Sequence, residues 1–300
     1  FFRFEAQQRQ IVREVGLTFF DYAYLGEAIR ISRRNYELLE QLAPTVDTKV
    51  RAGGDLSASL RLEVETTRVE DQLQGLREQR SALSSRLESL MGRTPTLNTP
   101  LPLPTLPVRP PSIDPLESLE RQTAQHPLIA AAEAGVMSAD LAERLSRKSP
   151  LPDINIGANV IDIGNGGETA VGVMVGVSIP LAFDKYRAER EEKAELASAA
   201  RADVTSMQQR LQADLHRAVQ SWREAKKRLD LYREKLLPSA EQALELTEES
   251  YRNDKATVTD LIDAERTLLD LQLMNQRALS SAHKAALEIR TLTEPLSVAK

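Results

Sequence analysis

Four long stretches of the chain space their apolar residues alternately three and four apart, and no other feature limits its fold so strongly. The first stretch runs from Ile11 through Val15, Thr18 and Tyr22 to Leu39, Val46 and Val50. The second runs from Leu62 through Val69 and Leu73 to Leu87 and Leu90, broken by Arg80. The third passes from Leu211 through Leu215, Ala218, Trp222 and Leu229 to Ser239, Ala243, Leu246 and Ser250. The fourth runs from Leu261 through Leu268, Asn275 and Ala282 to Leu292. A seam of that period kept over many turns belongs to coiled-coil packing rather than to an ordinary amphipathic helix. A helix of roughly 45 residues is about 70 Å long at 1.5 Å per residue, so the chain is expected to be built from rods. Arg80 and Asn275 then read as residues that set register.

The rods pair. RAGGDLSAS (Arg51–Ser59) separates the first two, and RNDKATVTD (Arg252–Asp260) separates the last two. Superposing these turns places Val50-Arg51 on Tyr251-Arg252, Leu60 on Leu261, and Tyr22 close to Trp222. The pattern is that of an internal repeat of two helical hairpins, about 200 residues apart.

Different material lies between them. Thr94–Pro115 holds eight prolines and is expected to cross the molecule extended, without helix. Helical character resumes over Ser118–Lys148, with Pro127 near a first turn. Period-two alternation follows. Asp153–Ile163 places Ile154, Ile156, Ala158 and Val160 on one parity, and Thr169–Ile179 does the same with Val171, Val173, Val175, Val177 and Ile179. GNGGE (Gly164–Glu168) reads as the hairpin loop between the two strands. A soluble half-buried hairpin would alternate in the same way. Strands of about 10 residues also suit a tilted membrane strand, with Asn, Gly and Ser of the other parity facing water.

Composition narrows the partners. A net charge of -5 gives no reason to expect nucleic acid. With no cysteine, disulfides and thiol catalysis are excluded. No apolar run approaches the ~20 residues of a membrane-crossing helix, so membrane contact would come from strands. The start, FFRFEAQQRQ, is already helical in period and shows no leader, which suggests a truncated or processed form.

Several stretches together resemble the TolC family of outer-membrane efflux channels. LPDINIGANV followed by VGVSIPLAFDKYRAEREEKAE is similar to that family's second-repeat barrel hairpin and the helix after it. LLPSAEQALELTEESYRNDKATVTDLIDAERTLL resembles the periplasmic end of the second helical hairpin, and VRAGGDLSASLRLEVETTR its first-repeat counterpart. VRAGGDLS, HPLIAAAEA and GETAVGVMVGVSIPL resemble most closely the CzcC-like, heavy-metal branch. The resemblance covers essentially the whole chain.

It implies a mainly α fold of long antiparallel coiled-coil hairpins in two repeats, with a β-hairpin contributing to a trimeric outer-membrane barrel. Residues 1–93 would be the first-repeat hairpin and 94–117 the crossing, equatorial segment. A helix leading to the membrane would occupy 118–149, the barrel hairpin 150–182, the second-repeat hairpin 183–294, and a tail 295–300. The implied function is a passive trimeric conduit of a tripartite efflux system, carrying small molecules or metal ions. It would be fed by a periplasmic adaptor (membrane fusion) protein and an inner-membrane efflux pump.

The resemblance also assigns residues. Asp260 and Asp263 match the acidic positions that constrict the channel aperture, where three-fold repetition would make carboxylate rings. Position alone equally suits two solvated carboxylates at a helix N-terminus. Gly53, Gly54, Arg252, Asp254 and Lys255 fall at the hairpin tips that would meet the adaptor, or form plain interhelical turns. Asp254 stands where the family's Tyr-x-x-Gly turn carries glycine, and its loss weakens the case for a left-handed turn there. Val171, Val173, Val175, Val177 and Ile179 would face outer-membrane lipid. His126, His216 and His283 lack metal-ligand spacing, and no nucleophile–base motif is present, so neither cofactor, metal nor enzyme activity is expected. Two competing assignments fit the helices less well: a periplasmic adaptor, which would carry one hairpin between split β domains, and a soluble coiled-coil scaffold.

Overall fold

The computed structural model describes residues 2–95, 99–161 and 170–294. Seven α-helices and two strands follow in the order α1 (Phe2–Arg51), α2 (Leu56–Leu90), α3 (Leu116–Thr123), α4 (Pro127–Lys148), β1 (Asp153–Ile161), β2 (Ala170–Ser178), α5 (Phe183–Leu231), α6 (Leu237–Arg252) and α7 (Val258–Thr293). A π-turn, Tyr232–Leu236, joins α5 to α6. The chain divides into two compact units, one holding Arg3–Ala124 with the chain from Leu211 onward, the other Gln125–Arg210.

In the first unit the heptad seams become the core. Leu39 and Val46 of α1, Leu62 and Val69 of α2, Leu244 and Tyr251 of α6, and Val258, Leu261 and Ile262 of α7 form one buried cluster. The two hairpins therefore pack on each other through their seams. Where α1 passes α7 the approach is close: a Cβ added to Gly16 would stand 2.3 Å from Leu287 Cδ2.

One seam departs from its expected course. Leu211, Leu215, Ala218, Ala225 and Leu229 are buried as the heptad requires, but Ser239, Ala243 and Leu246 are exposed. Ala240, Leu244 and Tyr251 are buried in their place. The π-turn between the two halves is the cause. Its i→i+5 bonding widens one turn and moves the inward face by one residue. Pro238, without an N–H, follows in the first turn of α6.

Residues 99–115 of the proline-rich segment run extended along this unit, and side chains satisfy four of their carbonyls. Tyr22 Oη donates to Leu101 O, as does Arg80 Nη2 at 3.1 Å. His283 Nε2 lies 2.9 Å from Pro107 O, Arg233 Nη2 donates to Val108 O at 2.8 Å, and Trp222 Nε1 donates to Pro111 O at 3.2 Å. With no backbone hydrogen bonds between its described residues, this segment is held by donors from α1, α2, α5, α7 and the π-turn. Arg80 breaks its seam to hold this segment and to reach Tyr22 Oη at 3.3 Å, a role the seam pattern did not indicate.

The expected helix over 118–149 is two helices. α3 ends at Thr123, and α4 begins at Pro127, whose missing N–H suits a first helical position. His126 caps α4, its Nδ1 accepting from Leu128 N at 3.2 Å. In the second unit Arg201 Nη2 pairs with Asp140 Oδ1 at 2.7 Å, tying α5 to α4. Between these helices β1 and β2 pair antiparallel with Asp153 opposite Ser178. The hairpin loop expected at Gly164–Glu168 lies outside the described residues.

Candidate functional site

The two hairpin tips repeat each other bond for bond. In the first, Gly53 N donates to Val50 O at 3.0 Å and Gly54 N to Lys49 O at 2.9 Å. In the second, Asp254 N donates to Tyr251 O at 3.2 Å and Lys255 N to Ser250 O at 2.8 Å. Gly53 takes φ +101° and Asp254 φ +55°. Asp254 therefore keeps the left-handed turn that its replacement of glycine put in question, since Asp tolerates that conformation better than most residues. Gly54 is fixed differently: a Cβ there would meet Lys49 O at 2.8 Å.

Lys49 ties the tips together. Its Nζ lies 2.6 Å from Asp254 Oδ1 and 3.3 Å from Tyr251 O, and sits over the Tyr251 ring at 4.2 Å. The Asp254 bond raises the Lys49 pKa, so this ammonium stays charged. No sequence pattern pointed to Lys49, because its partner lies 205 positions away.

Asp260 and Asp263 project from the first turns of α7, three residues apart and both exposed. Asp260 closes a capping box: Thr257 N and Thr257 Oγ1 donate to its Oδ2 at 2.8 and 2.7 Å, and its own N–H donates back to Thr257 Oγ1 at 3.2 Å. The Thr257 backbone bond, then the hydroxyl, hold its pKa below the usual value. Only one of its oxygens is engaged, so Oδ1 remains open to solvent or a cation. Capping and an aperture role are compatible at this residue.

Behind this exposed pair, Glu265 is buried on α7, its Oε2 accepting from Asn35 Nδ2 of α1 at 3.3 Å. Burial raises its pKa, and Glu248 of α6 adds to the shift. The next residue, Arg266, turns to α2, with Nε 3.3 Å from Glu65 Oε1 and Nη2 on Glu65 Oε2. These polar ties between hairpins were not legible, because Asn35 and Glu65 lie off the seams as counted.

In the second unit the strand register sorts the residues by face. Ile154 pairs with Val177, Ile156 with Val175, Ala158 with Val173 and Val160 with Val171. On the other face Asp153 opposes Ser178, Asn155 Gly176, Gly157 Met174, and Asn159 Gly172. Val171, Val173, Val175 and Val177 are exposed, between 58% and 73%. Ile179 is likewise exposed, but it lies one residue beyond the end of β2 rather than in the strand. The sheet has two strands only, leaving both edges unpaired among the described residues. No described helix is long and apolar enough to cross a membrane. Among the described residues no group of three or more His, Asp or Glu gathers as a metal site.

Paired helical hairpins with a two-stranded, apolar-faced insertion define the fold of outer-membrane channels. The outer membrane protein VceC of Vibrio cholerae superposes with a TM-score of 0.83 at 18% identity, over 96% of this chain and 71% of VceC. The outer-membrane channel OprN gives 0.86 at 19% identity, over 98% and 68% of the two chains. The open state of the MtrE outer membrane channel of Neisseria gonorrhoeae gives 0.81 at 19%, over 96% and 67%. No curated protein sequence matches the chain. Residues 119–293 match the outer membrane efflux protein family, and the chain belongs to it. It is an outer-membrane efflux protein.

Proposed function

We propose that the chain is one protomer of a homotrimeric export channel, a passive conduit fed from an inner-membrane pump through a periplasmic adaptor. The observation that carries this reading is the sheet in the second unit, which presents an entirely aliphatic face to its surroundings and has two edges unpaired among the described residues. A lone hairpin would leave backbone groups unsatisfied in lipid, so further strands, those of other protomers among them, must close a barrel. Val171, Val173, Val175 and Val177 then face lipid, and Gly172, Gly176 and Ser178 face the lumen.

Asp260 and Asp263 are the aperture residues in this reading. Three copies of each would ring the periplasmic mouth, favour cations and oppose closure by mutual repulsion. Gly53, Gly54, Arg252, Asp254 and Lys255 form the tips that meet the adaptor. The cargo, small molecules or metal ions, passes without chemical change.

Cysteine placed at Val173 or at Gly172 in the full-length channel tests the barrel assignment. Spin label on the Val173 side should be accessible to a lipid-soluble relaxant, and label on the Gly172 side to a water-soluble one. Equal water accessibility on both faces would favour the soluble scaffold instead.

A further inference from the structure

The register that pairs Asp153 with Ser178 brings the end of α4 and the start of α5 to one end of the hairpin. Lys148 lies five residues before Asp153, and Phe183 five residues after Ser178. At that end the exposed residues fall into two bands. Leu151, Ile179, Leu181 and Phe183 are between 60% and 79% exposed; Ile179, Leu181 and Phe183 keep the sequence parity of the strand's valines, and Leu151 precedes β1. On the helical side of them stand Arg144 and Lys148 of α4 and Lys185 and Arg187 of α5, all exposed.

These four cations have no carboxylate partner among the described residues. Arg147, beside them, pairs with Glu143 at 2.6 Å. Of the carboxylates at this end, Asp153 and Asp184 are exposed beside the cations and Glu143 is taken by Arg147, while Glu189, Glu191 and Glu192 follow further along α5. Helix stability explains only half the pattern. Arg144, Arg147 and Lys148 suit the negative end of α4, but Lys185 and Arg187 sit at the positive end of α5, where cations are disfavoured.

We propose that this collar binds anionic phospholipid headgroups in the leaflet facing the periplasm. The apolar band seats at the edge of the hydrocarbon, and Lys148, Lys185 and Arg187 reach the phosphates above it with their stems laid along apolar surface. Half-buried Tyr186, in the first turn of α5, lies at headgroup depth, where aromatic residues gather on barrels. The inference rests on reading the hairpin as barrel strands, and it adds a lipid class and the residues that select it.

The test uses the full-length channel in non-ionic detergent, with phosphatidylglycerol or phosphatidylcholine added to the micelles. Phosphatidylglycerol should raise the thermal midpoint of the wild type by several degrees, and phosphatidylcholine should not. The K148Q/K185Q/R187Q variant should lose most of that response, while K148R/K185R/R187K keeps it. Equal responses to the two lipids in the wild type, or an undiminished response in the glutamine variant, would overturn the proposal. If the glutamine variant does not assemble, native mass spectrometry of the wild type in an equimolar lipid mixture decides. Preferential retention of phosphatidylglycerol supports the collar, and equal retention refutes it. Assembly into an outer-membrane oligomer is scored separately. Its failure in the wild type would count against the barrel assignment, whereas an assembled channel indifferent to lipid charge counts against the collar alone.

Discussion

Lys49 of α1 and Asp254 of the α6–α7 turn meet at 2.6 Å, so one contact spans the two hairpin tips. Both side chains are well exposed, and exposed pairs contribute little to stability because water screens them. Their value is positional. Lys49→Ala should leave the thermal midpoint nearly unchanged while amide exchange over the 250–258 turn rises several-fold. Unchanged exchange there would show that the tips are held by the buried cluster alone.

Asp254 combines this contact with a positive φ, and substitutions separate the two. Asp254→Gly keeps the turn and loses the contact, so its stability should match that of Lys49→Ala. Asp254→Val must hold a β-branched residue at φ +55° and should cost about 1–2 kcal/mol more. Chemical denaturation of the two variants measures the difference.

Glu265 sets a pH dependence. Its pKa is raised by burial first, then by Glu248 of α6, with the Asn35 amide of α1 opposing. The neighbouring Arg266 is committed to Glu65 of α2. The folded state therefore holds this proton more tightly than the unfolded one. Its favourable contribution is full below the unfolded pKa and is lost as pH rises through the folded pKa. Glu265→Gln removes the cost of burying the anion and should stabilise the protein at pH 7–8 by on the order of 1 kcal/mol. The gain should vanish toward pH 4. A gain independent of pH would mean that the folded and unfolded states hold this proton equally tightly, contradicting the effect of burial on Glu265.

Tyr22 and Trp222 extend the repeat to the crossing segment. Each occupies a corresponding place in its hairpin, and each donates to a carbonyl of that segment, at Leu101 and Pro111. Leu101 O has a second donor in Arg80. Tyr22→Phe alone should therefore cost less than about 1 kcal/mol, while Tyr22→Phe with Arg80→Gln should cost more than the sum of the single changes. Additive losses in urea unfolding would contradict the shared acceptor.

The helices were legible because their seams are local in sequence: Leu62, Val69 and Leu73 announce a buried face without knowledge of its partner. The tip repeat was equally legible, since Val50-Arg51 and Tyr251-Arg252 align directly. The π-turn was not. A one-residue change of register looks like tolerable noise in a heptad that still offers Ala243 and Leu246. The division of α3 from α4 was missed because Pro127 was read within a first turn rather than as its beginning. Lys49–Asp254, Asn35–Glu265 and Glu65–Arg266 stayed hidden for a common reason. Each joins residues about 200 or more positions apart, and local pattern carries nothing about such pairs. Asp260 was legible as an exposed carboxylate at a helix N-terminus, while its capping box with Thr257 was not foreseen.

The aperture is most directly tested by the ion selectivity of the full-length channel in planar bilayers, before and after replacing Asp260 and Asp263 by alanine. Thr257 holds Asp260 ionised well into mildly acid solution, so the wild type should prefer cations throughout that range. The double variant should lose most of that preference, with its reversal potential in a salt gradient moving toward zero and its single-channel conductance changing with it. A reversal potential and conductance equal to the wild type's would contradict the aperture assignment.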